Sequence, residues 1–276
     1  MSTISELVAP SLSADERESA RVAIYRFFAT RGRSPTLTTI MRASSLSAPQ
    51  ARRALLDLHQ SRDLVLDPGV KRAWEAGETG ESGHEGPNGD GEEESLVVLA
   101  HPFSSVNLGF SVMGRNNVYW GGCAWDAFAL PSLVPSESPC LIATRCPGCR
   151  NPIAVDVSSD YPPLAGPEAP VEATAARMEG PGPVAHFATP MKDAWEDVVK
   201  TCSMQNLFCT EGCVERWCKQ EGRAKGYVMD VDTLWHFARD WYTGRLERGY
   251  ERREPAQAKE YFRKVGLRGS FWGLED

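Results

Sequence analysis

Cys123 and Asp126 lie three residues apart in Trp120–Gly–Gly–Cys123–Ala–Trp–Asp126–Ala–Phe–Ala–Leu–Pro131, a spacing that can do chemistry. The stretch reads as a short helix that opens on two glycines, stays apolar along most of its length and is stopped by Pro131. On such a helix the two side chains share one face. Cys123 falls in the first turn, where unpaired backbone N–H groups and the helix dipole favour a thiolate. A thiolate beside a carboxyl group that carries a proton is a reactive pair. The same residues also fit a small Cys packed in a buried helix with Asp126 capping locally, and this stretch alone leaves both readings open.

The remaining thiols suggest further chemistry. Cys202 follows a helical pattern and a Thr and precedes an apolar stretch, but sequence distance does not say whether it meets Cys123. Cys146-x-x-Cys149 and Cys209-x-x-x-Cys213 are two short-spaced pairs. Together they can form a tetrahedral four-sulfur site for Zn²⁺, or they can be individual core or surface thiols. The Pro–Gly turn inside the first pair suits a metal knuckle; a thiol redox motif there lacks the strand-to-helix context it needs. Cys140 and Cys218 have no evident partner, and His186 and His236 read as structural.

The elements that must position these groups follow from capping and periodicity. Ser13 with Glu16 and Ser47 with Gln50 are capping boxes, and Ala20, Ile24, Phe27 and Phe28, then Ala51, Leu55 and Leu58, recur at helical spacing. With a short helix from Leu37 between them, residues 1–74 read as a helix-turn-helix module, Leu64–Leu66 opening a wing. Arg42, Arg52, Arg53 and His59 give it only a thin basic footprint. Residues 75–94 carry eight acidic side chains, six glycines and no Lys or Arg. We expect a disordered linker or an expanded wing loop over 75–95. Beyond it, 96–276 reads as a mixed β-sheet domain flanked by helices: strands at Leu96–Ala100, between Val106 and Val118, and at Leu141–Thr144, Ile153–Val157 and Val184–Ala188. Helices are expected over Met191–Lys200, Glu211–Gln220, Asp232 to about Arg248, and Ala256–Val265, with an irregular connection over 159–183. The fold class is thus α+β, with an N-terminal winged-helix-like module.

The chain has 276 residues and a net charge of −7, which argues against sequence-independent nucleic-acid binding. No apolar run reaches membrane-spanning length, and the first residues lack a basic-then-apolar signal pattern. A cytoplasmic location is expected, where eight cysteines are more often metal-binding or catalytic than disulfide-bonded.

The segment Val118–Pro131, with Tyr119, Cys123, Asp126 and Pro131 in register, resembles the helix of the alkylmercury lyase (organomercurial lyase) family that holds a catalytic cysteine and the catalytic aspartate. Thr201–Cys202, followed by Phe208 and Glu215–Arg216–Trp217, is similar to the segment with the other catalytic cysteine. Thr144–Arg145–Cys146–Pro147 resembles the segment of a third, mainly structural one. The N-terminal helix-turn-helix fits as well. The acidic stretch, the thiols Cys149, Cys209, Cys213 and Cys218, the tail after Gly222, and Cys202–Ser203 in place of adjacent cysteines depart from the compact members. The resemblance implies that 96–276 is a catalytic domain in which Cys123 and Cys202 bind the mercury of an organomercurial. Asp126, its pKa raised by burial or a neighbouring thiolate, would protonate the carbon. Hydrocarbon leaves; Hg(II) stays as bound product, to be passed to cellular thiols or a mercuric reductase. No resident cofactor is required, structural Zn aside. The alternative is a thiol-based Zn or Hg protein, or a metal-responsive DNA-binding regulator, that kept the lyase fold.

Overall fold

The computed structural model describes residues 12–76, 95–163, 182–191 and 198–274. Most of the expected 75–95 linker, most of the 159–183 connection and the middle of the expected 191–200 helix lie outside them. The chain forms two compact units, one of residues up to Ala100 with Leu246–Gly249, the other of His101–Arg245 with the segment from Tyr250 onward.

In the first unit, α1 (Ala14–Arg31), α2 (Leu37–Ser44) and α3 (Ala48–Gln60) pack on one another. Ser13 caps α1 through a reciprocal pair, Ser13 N–H to Glu16 Oε2 at 2.8 Å and Glu16 N–H to Ser13 Oγ at 3.2 Å. Ile24, Phe28, Ile40, Leu55 and Leu58 are fully buried and form the core that the helical spacing implied. β1 (Val65–Leu66) pairs antiparallel with β2 (Val97–Ala100). Between them lies α4 (Pro68–Glu75), a helix the sequence reading missed although Asp67 caps it and Pro68 opens it. The basic footprint is partly consumed internally: Arg53 pairs with Asp57 at 2.9 Å, and His59 Nδ1 accepts from Leu66 N–H at 3.3 Å. Burial holds the His59 pKa down.

The returning segment Leu246–Gly249 is bonded to α1. Arg26 Nε donates to Leu246 O at 2.9 Å, Arg21 Nη2 to Glu247 O at 2.5 Å, and Gly249 N–H to Glu18 Oε1 at 2.8 Å. Arg248 pairs with Asp15.

The second unit holds β3 (Phe103–Ser104), β4 (Phe110–Met113), β5 (Val118–Gly121), β6 (Cys140–Arg145) and β7 (Pro152–Val157) in the order β3-β5-β4-β6-β7, neighbours antiparallel. A second antiparallel sheet orders β10 (Tyr227–Asp230), β8 (Val184–Phe187) and β9 (Gln205–Phe208). The helices are α5 (Ala124–Leu133), α6 (Val198–Ser203), α7 (Glu211–Gln220), α8 (Val231–Arg239) and α9 (Pro255–Lys264). The expected α+β class with N-terminal helices is what the chain forms.

Three expectations change. Pro131 does not stop α5, which continues to Leu133; a proline near a helix end loses a single backbone bond, and Val134 N–H still reaches Leu130 O at 2.9 Å. The long helix expected to run to Arg248 ends at Arg239, with Gly244 (φ 80°) and Gly249 (φ 76°) in left-handed turns beyond it. Cys202 sits inside α6 rather than after a helix.

Candidate active site

α5 is buried along Ala124–Pro131, consistent with its all-round apolar sequence. Trp125 fixes its orientation, its ring centroid 4.1 Å from that of Phe237 and 4.7 Å from that of Trp241. β5 runs into this helix through Gly121 and Gly122. A Cβ at Gly121 would meet Ala127 Cα at 3.0 Å, and one at Gly122 would run into Asp126 Oδ2. The two glycines are therefore what let the strand feed the helix with Asp126 in place.

Cys123 is the N-cap of α5 rather than part of its first turn, and its sulfur accepts from Asp126 N–H at 3.4 Å. Gln205 Oε1, at the start of β9, lies 3.1 Å from its sulfur and is one of two acceptors within reach of its S–H, Cys202 being the other. Cys202, from α6, places its sulfur 3.9 Å from Asp126 Oδ2 and 3.9 Å from His101 Nδ1. It also lies close enough to Cys123 for the two thiols to hydrogen-bond. Asp126 is 1% exposed and doubly held: His101 Nδ1 lies 2.8 Å from Oδ2, and Tyr242 Oη–H donates to Oδ1 at 2.6 Å. The structure thus brings Cys123, Asp126 and Cys202 together.

Electrostatics distribute the protons differently from the sequence expectation. Burial pushes the Asp126 pKa up, yet the His101 charge and the hydrogen bonds from His101 and Tyr242 outweigh it, and the pKa is lowered. Burial likewise opposes a charge on His101, but the Asp126 carboxylate and the Cys202 sulfur raise it to about 10. The buried proton therefore rests on His101 and not on Asp126. Of the two thiols, Cys202 ionises first: the hydrogen bond from Cys123 and the His101 charge overcome burial and lower it to about 7. Burial, the bond to Cys202 and the Asp126 charge push Cys123 well up. Above about pH 7 the resting site pairs a thiolate with a thiol, and a carboxylate with an imidazolium. The thiolate expected at Cys123 is at Cys202, because at Cys202 the His101 charge and the Cys123 hydrogen bond outweigh burial and the nearby Asp126 charge.

His101, Gln205 and Tyr242 escaped the sequence reading. His101 follows an apolar strand and precedes a proline, and Tyr242 looks like one more core aromatic; neither stands at a telling distance from another functional group. Cys146, Cys149, Cys209 and Cys213 also gather, in a different part of the same unit. Cys140 finds an acceptor in Glu137 O at 3.3 Å. His186 accepts from Gly226 N–H at 3.0 Å and is driven down to about 4 by burial, which suits a structural role.

Comparison with known proteins gives the following. A family model described as "MerB: Alkylmercury lyase" matches residues 103–243, half of the chain. The fold is similar to that in the crystal structure of the mercury-bound form of MerB2, with a TM-score of 0.55 and 13% identity, covering 86% of this chain and 94% of that chain. No curated protein sequence matches.

Proposed function

The chain belongs to the alkylmercury lyase family, and from that premise we propose that it cleaves the carbon–mercury bond of small organomercurials by protonolysis, with Cys202, Cys123 and Asp126 as the reacting groups. One observation carries this reading: two thiols of unlike acidity meet beside a buried carboxylate that is held in place from both sides. Hg(II) is soft and favours thiolate sulfur, so the Cys202 thiolate binds R–Hg⁺ and displaces the small thiolate that delivered it. Mercury binding acidifies the neighbouring Cys123 thiol, whose proton passes to Asp126 as its sulfur becomes the second ligand. Electron density from two sulfurs enriches the Hg–C bond. Asp126 then delivers the proton to carbon, the bonding pair of Hg–C becomes the new C–H bond, and R–H leaves.

The balance closes. One thiolate and one thiol are consumed, one hydrocarbon and one small thiolate are released, and mercury ends between two sulfurs. The only metal in this sequence of steps is the substrate's own. His101 and Tyr242 position Asp126, and His101 also keeps Cys202 ionised. Hand-off of Hg(II) to cellular thiols or to a mercuric reductase completes the cycle.

Incubation with phenylmercury and excess thiol tests the proposal. Benzene release is expected from the wild type, with Cys123→Ala and Cys202→Ala inactive and Asp126→Asn lowered by roughly 10²- to 10⁴-fold. No benzene from the wild type, or undiminished release by Cys123→Ala, overturns it.

A further inference from the structure

We propose that Cys146, Cys149, Cys209 and Cys213 bind one structural Zn²⁺ as a tetrathiolate, clamping the β6–β7 turn to the β9–α7 junction. The sulfurs of Cys146, Cys149 and Cys213 all lie within 4.8 Å of one another, and Cys209 Sγ is 3.6 Å from Cys149 Sγ. Zn–S bonds of about 2.3 Å in a tetrahedron place sulfurs about 3.8 Å apart; Cys146, Cys149 and Cys213 already lie near that spacing, and Cys209, next to Cys149 but outside the mutually close set, has to swing in as the fourth ligand. Disulfides join sulfurs two by two at about 2.05 Å; three sulfurs gathered around one centre with a fourth beside them fit a metal better.

The backbone around them is that of a knuckle. Cys146 N–H donates to Asn151 O at 2.9 Å, Arg150 N–H returns to Cys146 O at 2.8 Å, and Arg150 takes a left-handed φ of 66° to close the turn. Gly148 is pressed against α7 so closely that a Cβ there would run into Cys213 O. Two of the sulfurs already act as acceptors, as metal-bound thiolates do. Cys209 N–H points at Cys146 Sγ at 3.5 Å, and Thr210 Oγ1 donates to Cys213 Sγ at 3.6 Å. An all-sulfur tetrahedron suits Zn²⁺, which has no geometric preference of its own and no redox chemistry. On binding, the four thiols release their protons to solvent.

The test is elemental analysis of the full chain, produced with zinc and without mercury and purified under reducing conditions. One zinc per chain is expected, retained by Cys123→Ala and Cys202→Ala and lost from Cys149→Ala, whose side chain is the least buried of the four. Because a cysteine variant can fail to fold, Co²⁺ exchanged into the wild type gives a second readout. Intense sulfur-to-cobalt charge-transfer bands with tetrahedral d–d absorption support the site. A wild type that holds no zinc, prefers iron, or gives cobalt spectra without thiolate bands overturns the proposal. Full zinc retention by Cys149→Ala, or a Cys149–Cys209 disulfide in the reduced preparation, does the same.

Discussion

At the scale of single residues, the site is set by where two buried protons rest. Asp126 is ionised because His101 and Tyr242 hold it, and Cys202 is ionised because Cys123 and His101 do. In the proposed reaction the carboxylate starts as a base and becomes an acid only after mercury has driven the Cys123 proton off. This order predicts a pH profile. Cys202 is the first nucleophile of the proposed reaction and its pKa is lowered to about 7, so kcat/KM for phenylmercury is expected to fall as pH drops through about 7 and to level off above it. His101→Gln removes a positive charge facing the sulfur, which moves that limb upward toward the ordinary thiol value of 9.0. A limb that stays put in His101→Gln would show that His101 does not tune the thiol. The residue types at Cys123 and Asp126 were readable from their spacing. The partners that fix their charge were not, since a histidine 25 residues upstream and a tyrosine 116 residues downstream carry no periodic signal.

At the scale of elements, the strand-to-helix passage through Gly121–Gly122 determines how accurately the acid is held. Gly122→Ala forces a methyl group into Asp126 Oδ2, and the flexible end of that contact is the carboxylate itself. Displacing a reacting group by about 1 Å lowers turnover on the order of 10²-fold. Steady-state kinetics with far-UV circular dichroism would check that Gly122→Ala loses activity while keeping its helices and strands. Local signals made most elements legible. The capping boxes at Ser13 and Ser47 start α1 and α3 where expected, and the apolar strands of the second unit fall close to their predicted places. Punctuation by single residues was less dependable. Pro131 lies inside a helix whose buried packing tolerates it, while α8 ends well before its amphipathic pattern does, because left-handed glycines follow. The Asp67–Pro68 start of α4 was present in the sequence and simply overlooked.

At the scale of the whole molecule, the informative feature is how the two units share one chain. Arg21 is 3% exposed and joins Glu18 to the carbonyl of Glu247, whereas Arg26 makes its bonds to Leu246 and Glu247 from a side chain that is 54% exposed. Arg21→Ala is expected to destabilise the protein by about 2 kcal/mol and Arg26→Ala by less than about 1 kcal/mol, measured by urea unfolding of the full chain. Equal losses would mean that burial does not govern the difference. None of this was legible in the sequence, because neither composition nor periodicity announces that a stretch of four residues near position 247 completes a unit begun at position 14. It has a consequence for synthesis. The ribosome finishes α3 at Gln60 long before it reaches Leu246, and roughly 190 residues at about 5–20 per second put that wait on the order of ten to forty seconds. During that time the nascent amino-terminal unit lacks the acceptors on which Arg21 and Arg26 close, so its last step of maturation waits until that segment has been made.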